Sequence, residues 1–210
     1  MSNPITITWN GHSCFTLECG GYRVVLDPYK DGSVWGLPPL RLEAEALYCS
    51  HQHSDHNYAQ AVTLASSSAP SPFEVTYFDT FHDDADGKKR GPNRVHIFSA
   101  DGLRAAHLGD LGCMPDEEQL ATLKNLDCML IPVGGFFTIN AKTAKVLVDI
   151  TNPRVIIPMH YSGKGFGFPV LAKVTEFAKL FGQVTYADGG ALTLDAETPG
   201  GVVVLKCPAK

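Results

Sequence analysis

Long apolar runs are absent from this 210-residue sequence: nowhere do about 18 or more apolar residues follow one another, the length a helix needs to cross a bilayer. The opening Met1-Ser2-Asn3-Pro4-Ile5 has no basic segment leading into an apolar one, so no export signal is expected, and the chain reads as cytoplasmic with no membrane partner. Cysteine pairing is also missing. The six cysteines, at 14, 19, 49, 113, 128 and 207, show no CxxC spacing, and a chain of this length buries a full core without disulfides, so free thiols are expected. Positive charge is not in excess: the net charge is -5, which argues against a nucleic-acid partner even though Lys88-Lys89-Arg90 forms a local basic run. No repeat, heptad or low-complexity tract occurs, and only Ser66-Ser67-Ser68-Ala69-Pro70-Ser71-Pro72 has the biased composition of a loop. What remains is 44% hydrophobic and 19% charged, with 20 glycines and 14 prolines, which describes a loop-rich globular protein expected to be one domain over 1–210.

Against that background one stretch is dense in metal-ligating side chains. Tyr48-Cys49-Ser50-His51-Gln52-His53-Ser54-Asp55-His56 places three imidazoles and a carboxylate within six residues, straight after a short apolar run. His51 and His53 are two apart, so in an extended segment both point the same way and can grip one cation. Asp55 and His56 follow as the chain leaves the strand, where a turn can aim them at a neighbouring point. Two metal positions are therefore expected. A polar loop with clustered histidines is the bland alternative, and four potential ligands in the order His-x-His-x-Asp-His weigh against it.

The chain opens with strand-like segments at Ile5 to Trp9, Cys14 to Glu18 and Tyr22 to Leu26, the last two joined at Gly20-Gly21 as a hairpin. Tyr29 to Leu42 reads as a loop, Ala44 to Ser50 as a buried strand delivering the histidines, and Tyr58 to Leu64 as a short helix. Val75 to Phe81 is a strand ending at His82, after which the polar, glycine-punctuated Asp83 to Asn93 reads as a mobile loop. Arg94 to Ser99 and Leu103 to Leu108 flank the hairpin signal Asp101-Gly102. They run into Gly109-Asp110-Leu111-Gly112, where the glycines allow a sharp turn that brings Asp110 close to a ligand. Helices are expected from Pro115 to Leu123, from Ala141 to Ile150 ahead of Asn152-Pro153, and from Pro169 to Phe181. Cys128 to Val133 and Val155 to Pro158 are buried strands, the second ending at Met159-His160-Tyr161, and Val184 to Tyr186, Ala191 to Leu194 and Val202 to Leu205 are closing strands. Ligand-type residues thus recur at strand ends, and hairpins early with strand-helix alternation late suit two packed sheets with helices outside.

Taken together, His51-x-His53-x-Asp55-His56, His82, Asp110 within Gly-Asp-Leu-Gly and His160 within Pro-Met-His-Tyr resemble the metallo-β-lactamase superfamily. Trp9-Asn10-Gly11-His12-Ser13-Cys14-Phe15, Ile131-Pro132-Val133-Gly134-Gly135 and Ile157-Pro158-Met159-His160-Tyr161 are similar to its branch of small bacterial metal-dependent hydrolases, which includes the ascorbate-6-phosphate lactonase group. The resemblance implies an α/β chain folded as a four-layer αββα sandwich with a dinuclear site at one edge of the sheets. It implies His51, His53 and His82 on the first ion, Asp55, His56 and His160 on the second, and Asp110 bridging both, with a water between the ions. Asp55, Asp110 and His160 are the residues it implies in catalysis, and Asp27 matches a position that orients the ligand loop. Oxygen and nitrogen donors put zinc first among divalent ions and permit manganese or iron.

Two ions sharing a water make a nucleophile available near neutrality and polarise the group attacked, so no protein nucleophile is needed. The leading expectation is a hydrolase cleaving an ester-type bond, lactone or phosphodiester, in a small molecule. Asp110 stands where the commonest β-lactamases of the superfamily carry cysteine, and His53 where its diiron oxygen reductases carry glutamate; 210 residues leave no room for the added domains of glyoxalase II or the nucleases. The alternatives are a thiol-linked oxygenase with one iron and a metal-binding domain without turnover. Homo-oligomer formation is left open. Of the remaining residues, His12 either leans over the site or serves its loop, His107 reads as a satisfied core histidine and His96 as a surface or packing residue. Gly134-Gly135-Phe136-Phe137 suits a pocket wall or core packing, Lys88, Lys89 and Arg90 a solvated charge run ahead of an anion receptor, and Tyr161 either a substrate-polarising hydroxyl or a packed ring. Cys49 and Cys113 read as small buried thiols.

Overall fold

Alternation decides the first sheet. In the computed structural model, which describes residues 3–65 and 70–209, β1 (Ile5–Gly11) buries Ile5, Ile7 and Trp9 and leaves Thr6, Thr8 and Asn10 half-buried, the period of two that a strand imposes. β2 (Cys14–Cys19) and β3 (Tyr22–Leu26) follow antiparallel, joined through Gly20 and Gly21 at φ 58° and 82°. The strand expected from Ala44 to Ser50 is instead broken at Glu45 into β4 (Leu42–Ala44) and β5 (Ala46–Tyr48). Glu45 is held to Arg23 from both sides: its carboxylate accepts the Arg23 backbone N–H at 2.6 Å, and its own N–H donates to the Arg23 carbonyl at 2.9 Å. The helix expected from Tyr58 to Leu64 shrinks to one 3-10 turn at Ala59–Ala61, because Tyr58 offers no side-chain cap and Val62, β-branched, turns extended to start β6 (Val62–Leu64). The serine-rich stretch at 66–69 lies outside the described residues.

The second sheet begins with β7 (Glu74–Phe81), β8 (Pro92–Ala100) and β9 (Leu103–His107), antiparallel, with Asp101 and Gly102 left-handed in the expected hairpin. β10 (Cys128–Pro132) and β11 (Val155–Met159) then lie parallel to β9. Of the last strands, β12 (Val184–Tyr186) and β14 (Gly201–Val204) extend this sheet, whereas β13 (Ala191–Leu194) crosses to pair with β1. The orders are β13-β1-β2-β3-β5 and β12-β14-β11-β10-β9-β8-β7, with β4 and β6 as a separate pair.

Helix α1 (Glu117–Thr122) starts in a capping box between Asp116 and Gln119. α2 (Ala141–Thr151) is capped by Asn140, whose side chain accepts from the Lys142 and Thr143 N–H groups at 3.0 Å, and stops at left-handed Asn152 before Pro153. α3 (Val174–Ala178) is much shorter than the expected span from Pro169 to Phe181. Its first part is claimed elsewhere: Ser162 Oγ donates to Leu171 O at 2.7 Å and Ala172 N donates to Gly134 O at 2.8 Å, which ties the chain to loops at the sheet edge. No helix among the described residues is long and apolar enough to cross a membrane.

Phe15, Leu17, Val24 and Leu26 join one large core with Val95 and Ile97 of the second sheet and with Ala144, Leu147 and Phe177 of the helices. Cys14 and Val25, the alternate residues, face the other way into a smaller cluster with Tyr29, Val34, Leu40 and Ala61. The expected layered α/β sandwich is therefore present, but the layer outside the first sheet is a loop, one 3-10 turn and the short β4–β6 pair rather than long helices.

Strand direction positions the site. β2 is antiparallel to both neighbours and β5 is parallel to β3, so β1, β3 and β5 run one way. By the same reasoning β7, β9, β10 and β11 share one direction. The residues just past their C-terminal ends are His12, Asp27 and the 49–56 loop from the first sheet, and His82, Asp110 and His160 from the second.

Candidate metal centre

Backbone conformation at this edge is costly. Among the described residues, His12, Phe136 and His160 are left-handed at φ 54°, 60° and 53°, whereas the other non-glycine residues with positive φ, Asp27 at 44° among them, are aspartates and asparagines, which tolerate it better. Each such residue costs roughly 1 kcal/mol or more, and a network around it must offset that. The His12 carbonyl supplies part of one: it accepts from Trp9 Nε1 at 2.9 Å and from the His160 N–H at 3.3 Å, locking the β1–β2 turn to the end of β11.

Asp27 organises the histidine loop. Its carboxylate accepts the Ser50 N–H at 2.7 Å, the Ser50 hydroxyl at 2.5 Å and His56 Nδ1 at 2.8 Å. Because the Ser50 proton goes to Asp27, His51 Nδ1 must be the donor in its 2.9 Å bond to Ser50 Oγ. In the neutral tautomer both His51 and His56 then present a bare Nε2, the state a metal ligand requires. Burial alone would raise the Asp27 pKa, but the rings of His107 and His56 bring it down to about 2, so it stays ionised. The residues from His51 to His56 are bends and turns, not the expected extended segment, because His53 O accepts the His56 and Asn57 N–H groups at 2.9 and 3.0 Å.

Two sets of donors result. His51, His53 and His82 form the first, with ring centroids 4.7 to 5.2 Å apart. The second contains Asp55, His56 and His160 together with His12, their donor atoms all within 4.8 Å of one another. Asp110 lies between the sets: Oδ1 is 3.3 Å from His56 Nε2, and Oδ2 is 3.2 Å from His82 Nε2 and 3.1 Å from His160 Nε2. All seven residues expected as ligands are thus brought together.

Asp110 is itself held from behind. Its N–H donates to Asn93 Oδ1 at 2.8 Å, while Asn93 Nδ2 donates to Leu108 O at 3.0 Å. His107 accepts the Gly109 N–H on Nδ1 at 3.2 Å and donates from Nε2 to Ser13 O at 2.8 Å, so it is the satisfied, neutral core histidine expected, and burial lowers its pKa. Ser50 and Asn93 carry no sequence signal that separates them from other polar residues.

The cluster fits a cation on its own electrostatics. Among the described residues eight buried side-chain polar atoms lack a hydrogen-bond partner, and all but Ser13 Oγ belong to His12, His51, His56, His82, Asp110 and His160. Such orphans cost about 1–3 kcal/mol each unless something else satisfies them. Burial, reinforced by nearby His56, takes His51 down to about 3, and burial takes His12 down to about 4, both toward the lone-pair form. His56 goes the other way: burial opposes its charge, but Asp110 and Asp27 outweigh burial and hold its pKa well above the ordinary histidine value. Asp110 is held well below the usual carboxylate range because His160 and His56 outweigh its burial. Buried carboxylates recruit a proton onto His56 where a divalent ion would serve better.

Other expectations divide. Tyr161 is buried against Trp9 and Phe166, ring centroids 5.3 and 5.9 Å away, so it packs and does not face substrate. His96 is a buried packing residue beside Tyr48 and Phe98. The six cysteines are free, and Cys49, its pKa pushed up to about 12 by burial, is no nucleophile. The segment from Asp83 to Asn93, expected to be mobile, is wired internally: the Asp83 carboxylate accepts the N–H groups of Ala85, Gly87, Lys89 and Arg90 at 2.7 to 3.0 Å. Lys88 and Lys89 are exposed and pair with Asp86 and Asp84, a solvated run as expected. Arg90 differs, its guanidinium 5.5 Å from the Phe137 ring, at the boundary of two clefts of roughly 520 Å³ that flank the site. Phe137, with its centroid 6.4 Å from that of His160, forms a wall, and Phe136 is exposed.

Comparison with known proteins bears on the family and the fold. Residues 6–160 match the beta-lactamase superfamily domain. A Thermotoga maritima structure, described as a candidate Zn-dependent hydrolase of the metallo-β-lactamase superfamily, is 35% identical and covers 96% of this chain and 98% of its own, with a TM-score of 0.75. A metal-dependent hydrolase of Thermococcus onnurineus is 26% identical over 212 residues, covering 85% of this chain and 93% of the relative. A metallo hydrolase of Ignicoccus hospitalis, 18% identical, shares the fold with a TM-score of 0.65 over 99% of this chain and 97% of its own.

Proposed function

The chain belongs to the metallo-β-lactamase superfamily and is a metal-dependent hydrolase, and from that premise we propose that it holds two divalent ions and cleaves an ester-type bond, lactone or phosphodiester, in a small molecule. The observation that carries this reading is the place of Asp110, with one oxygen toward His56 and the other toward His82 and His160. When bound, a pair of such ions supplies an activated water near neutral pH and polarises the bond attacked.

The protein's part is to hold and orient. His51, His53 and His82 would carry one ion, Asp55, His56 and His160 the other, and Asp110 both. Asp27 and Ser50 fix the tautomers of His51 and His56, so that neither ring has to reorganise when an ion arrives. Asp55 stays ionised because nearby His12 and the charge of His56 outweigh its burial, which keeps it the anionic ligand the second ion would require. Arg90 and Phe137 line the approach and suit a substrate with an anionic or planar group. The donor set suits zinc first and admits manganese or iron. A cytoplasmic, single-domain enzyme with no nucleic-acid or membrane partner remains the proposal from composition.

The test is elemental analysis of the purified protein, with the loaded samples assayed on a panel of lactones and phosphodiesters. Two ions per chain and turnover on at least one class are expected. One iron per chain with sulfur oxidation would favour the oxygenase reading, and full loading without turnover on any ester would favour a binding domain.

A further inference from the structure

His12 belongs to none of the motifs that supply the seven ligands, yet it sits among them. It is 2% exposed, and neither ring nitrogen has a hydrogen-bond partner. Its ring lies 4.1 Å from that of His160 and 5.1 Å from that of His56, centroid to centroid, and Nε2 is 3.4 Å from Asp55 Oδ2, too poorly aligned to count as a hydrogen bond. A buried, unpaired imidazole is expensive, and a left-handed backbone at the same residue adds to the expense. The surroundings fix this arrangement: the His12 carbonyl accepts hydrogen bonds from Trp9 and His160, and the Phe168 ring lies 5.5 Å away, centroid to centroid.

We propose that His12 is a ligand, through Nε2, of the ion held by Asp55, His56 and His160. This rests on the two-ion reading above. With it, the second position is enclosed by four side chains plus Asp110, all but Asp55 buried. The first position has three histidines plus Asp110, and one of the three, His53, is exposed. The two ions are then unequal, and substrate enters on the His53 side, where the cleft lined by His51, His53 and Arg90 opens.

Histidine-labelled wild-type protein titrated with cadmium gives the direct readout, because coupling between ring nitrogens and the metal nucleus counts bound imidazoles. Six coupled rings are expected: those of His12, His51, His53, His56, His82 and His160. His12→Gly, which suits the φ of 54° at this position, identifies the His12 signal by its loss. The variant is expected to bind the second cadmium equivalent at least tenfold more weakly and to recover affinity with added imidazole. Two cadmium ions with only five coupled rings would overturn the assignment of His12 while leaving the two-ion reading intact, as would a variant whose weakened binding imidazole fails to restore. Uptake of no metal by the wild-type chain would sink the two-ion reading and this inference with it.

Discussion

Asp110 concentrates the demands of the site in one carboxylate, facing three imidazoles while its backbone is gripped by Asn93. Asp110→Asn is expected to abolish hydrolysis and to lower metal content below two per chain, because an amide cannot offer an anionic oxygen to each ion; elemental analysis beside the ester assay checks this, and unaltered turnover refutes the shared role. A second residue acts away from the metal. Burial, aided by nearby His107, lowers His96 from 6.5 to about 4. The unfolded chain therefore takes up this proton first, so the residue's share of stability is whole above pH 6.5 and is lost as pH falls toward 4. In metal-free protein His96→Phe is expected to remove on the order of 1–2 kcal/mol of the stability lost between about pH 7 and 5, read from urea midpoints; an unchanged slope would show that the ring already protonates in the folded state. Side-chain chemistry made four of the seven candidate ligands legible in the sequence, since His-x-His-x-Asp-His has few other uses, and the resemblance supplied His82, Asp110 and His160. Ser50, Asn93 and the closeness of His12 were not legible: serine and asparagine are common polar residues, and His12 acquires meaning only when the β1–β2 turn meets the end of β11.

At the scale of elements, the loop after β9 depends on a missing side chain. A Cβ on Gly112 would lie 2.2 Å from Asp83 N and 2.3 Å from His82 C, and backbone cannot yield as a flexible side chain would. Gly112→Ala is therefore expected to push the end of β7 away from Asp110 and to weaken the set of His51, His53 and His82, lowering metal stoichiometry while the far-ultraviolet spectrum is kept; full metal loading would show that the loops adjust at no loss. Strands and hairpins were readable, because alternation and paired turn residues are local signals. The two shortened helices were not, because what ended them was local only in space: Val62 joins a strand paired with β4, and residues 171 and 172 are bound by loops at 134 and 162.

For the whole molecule, the site is where the C-terminal strand ends of both sheets meet, so an ion would bind the folded arrangement and have no equal partner in the unfolded chain. At about a hundred times its dissociation constant an ion adds roughly 2.7 kcal/mol to stability. Chelation is expected to lower the melting midpoint, and readdition of zinc or manganese to restore it; a calorimetric midpoint indifferent to both would separate metal binding from folding. The layered arrangement was legible as a class, but not the thin cover over the first sheet. There Tyr29, Val34 and Leu40 are buried without any helical period, and burial without period leaves no trace in a sequence.

The pairing of β1 with β13 also bears on the order of assembly. Synthesis runs from the N-terminus, so every proposed ligand, ending with His160, has been made before residues 191–194 exist to cover the outer edge of β1. During that interval a growing chain carries an uncovered strand edge next to the complete set of proposed metal-binding side chains, and such an edge is open to a neighbouring nascent chain until residues 191–194 emerge to pair with it.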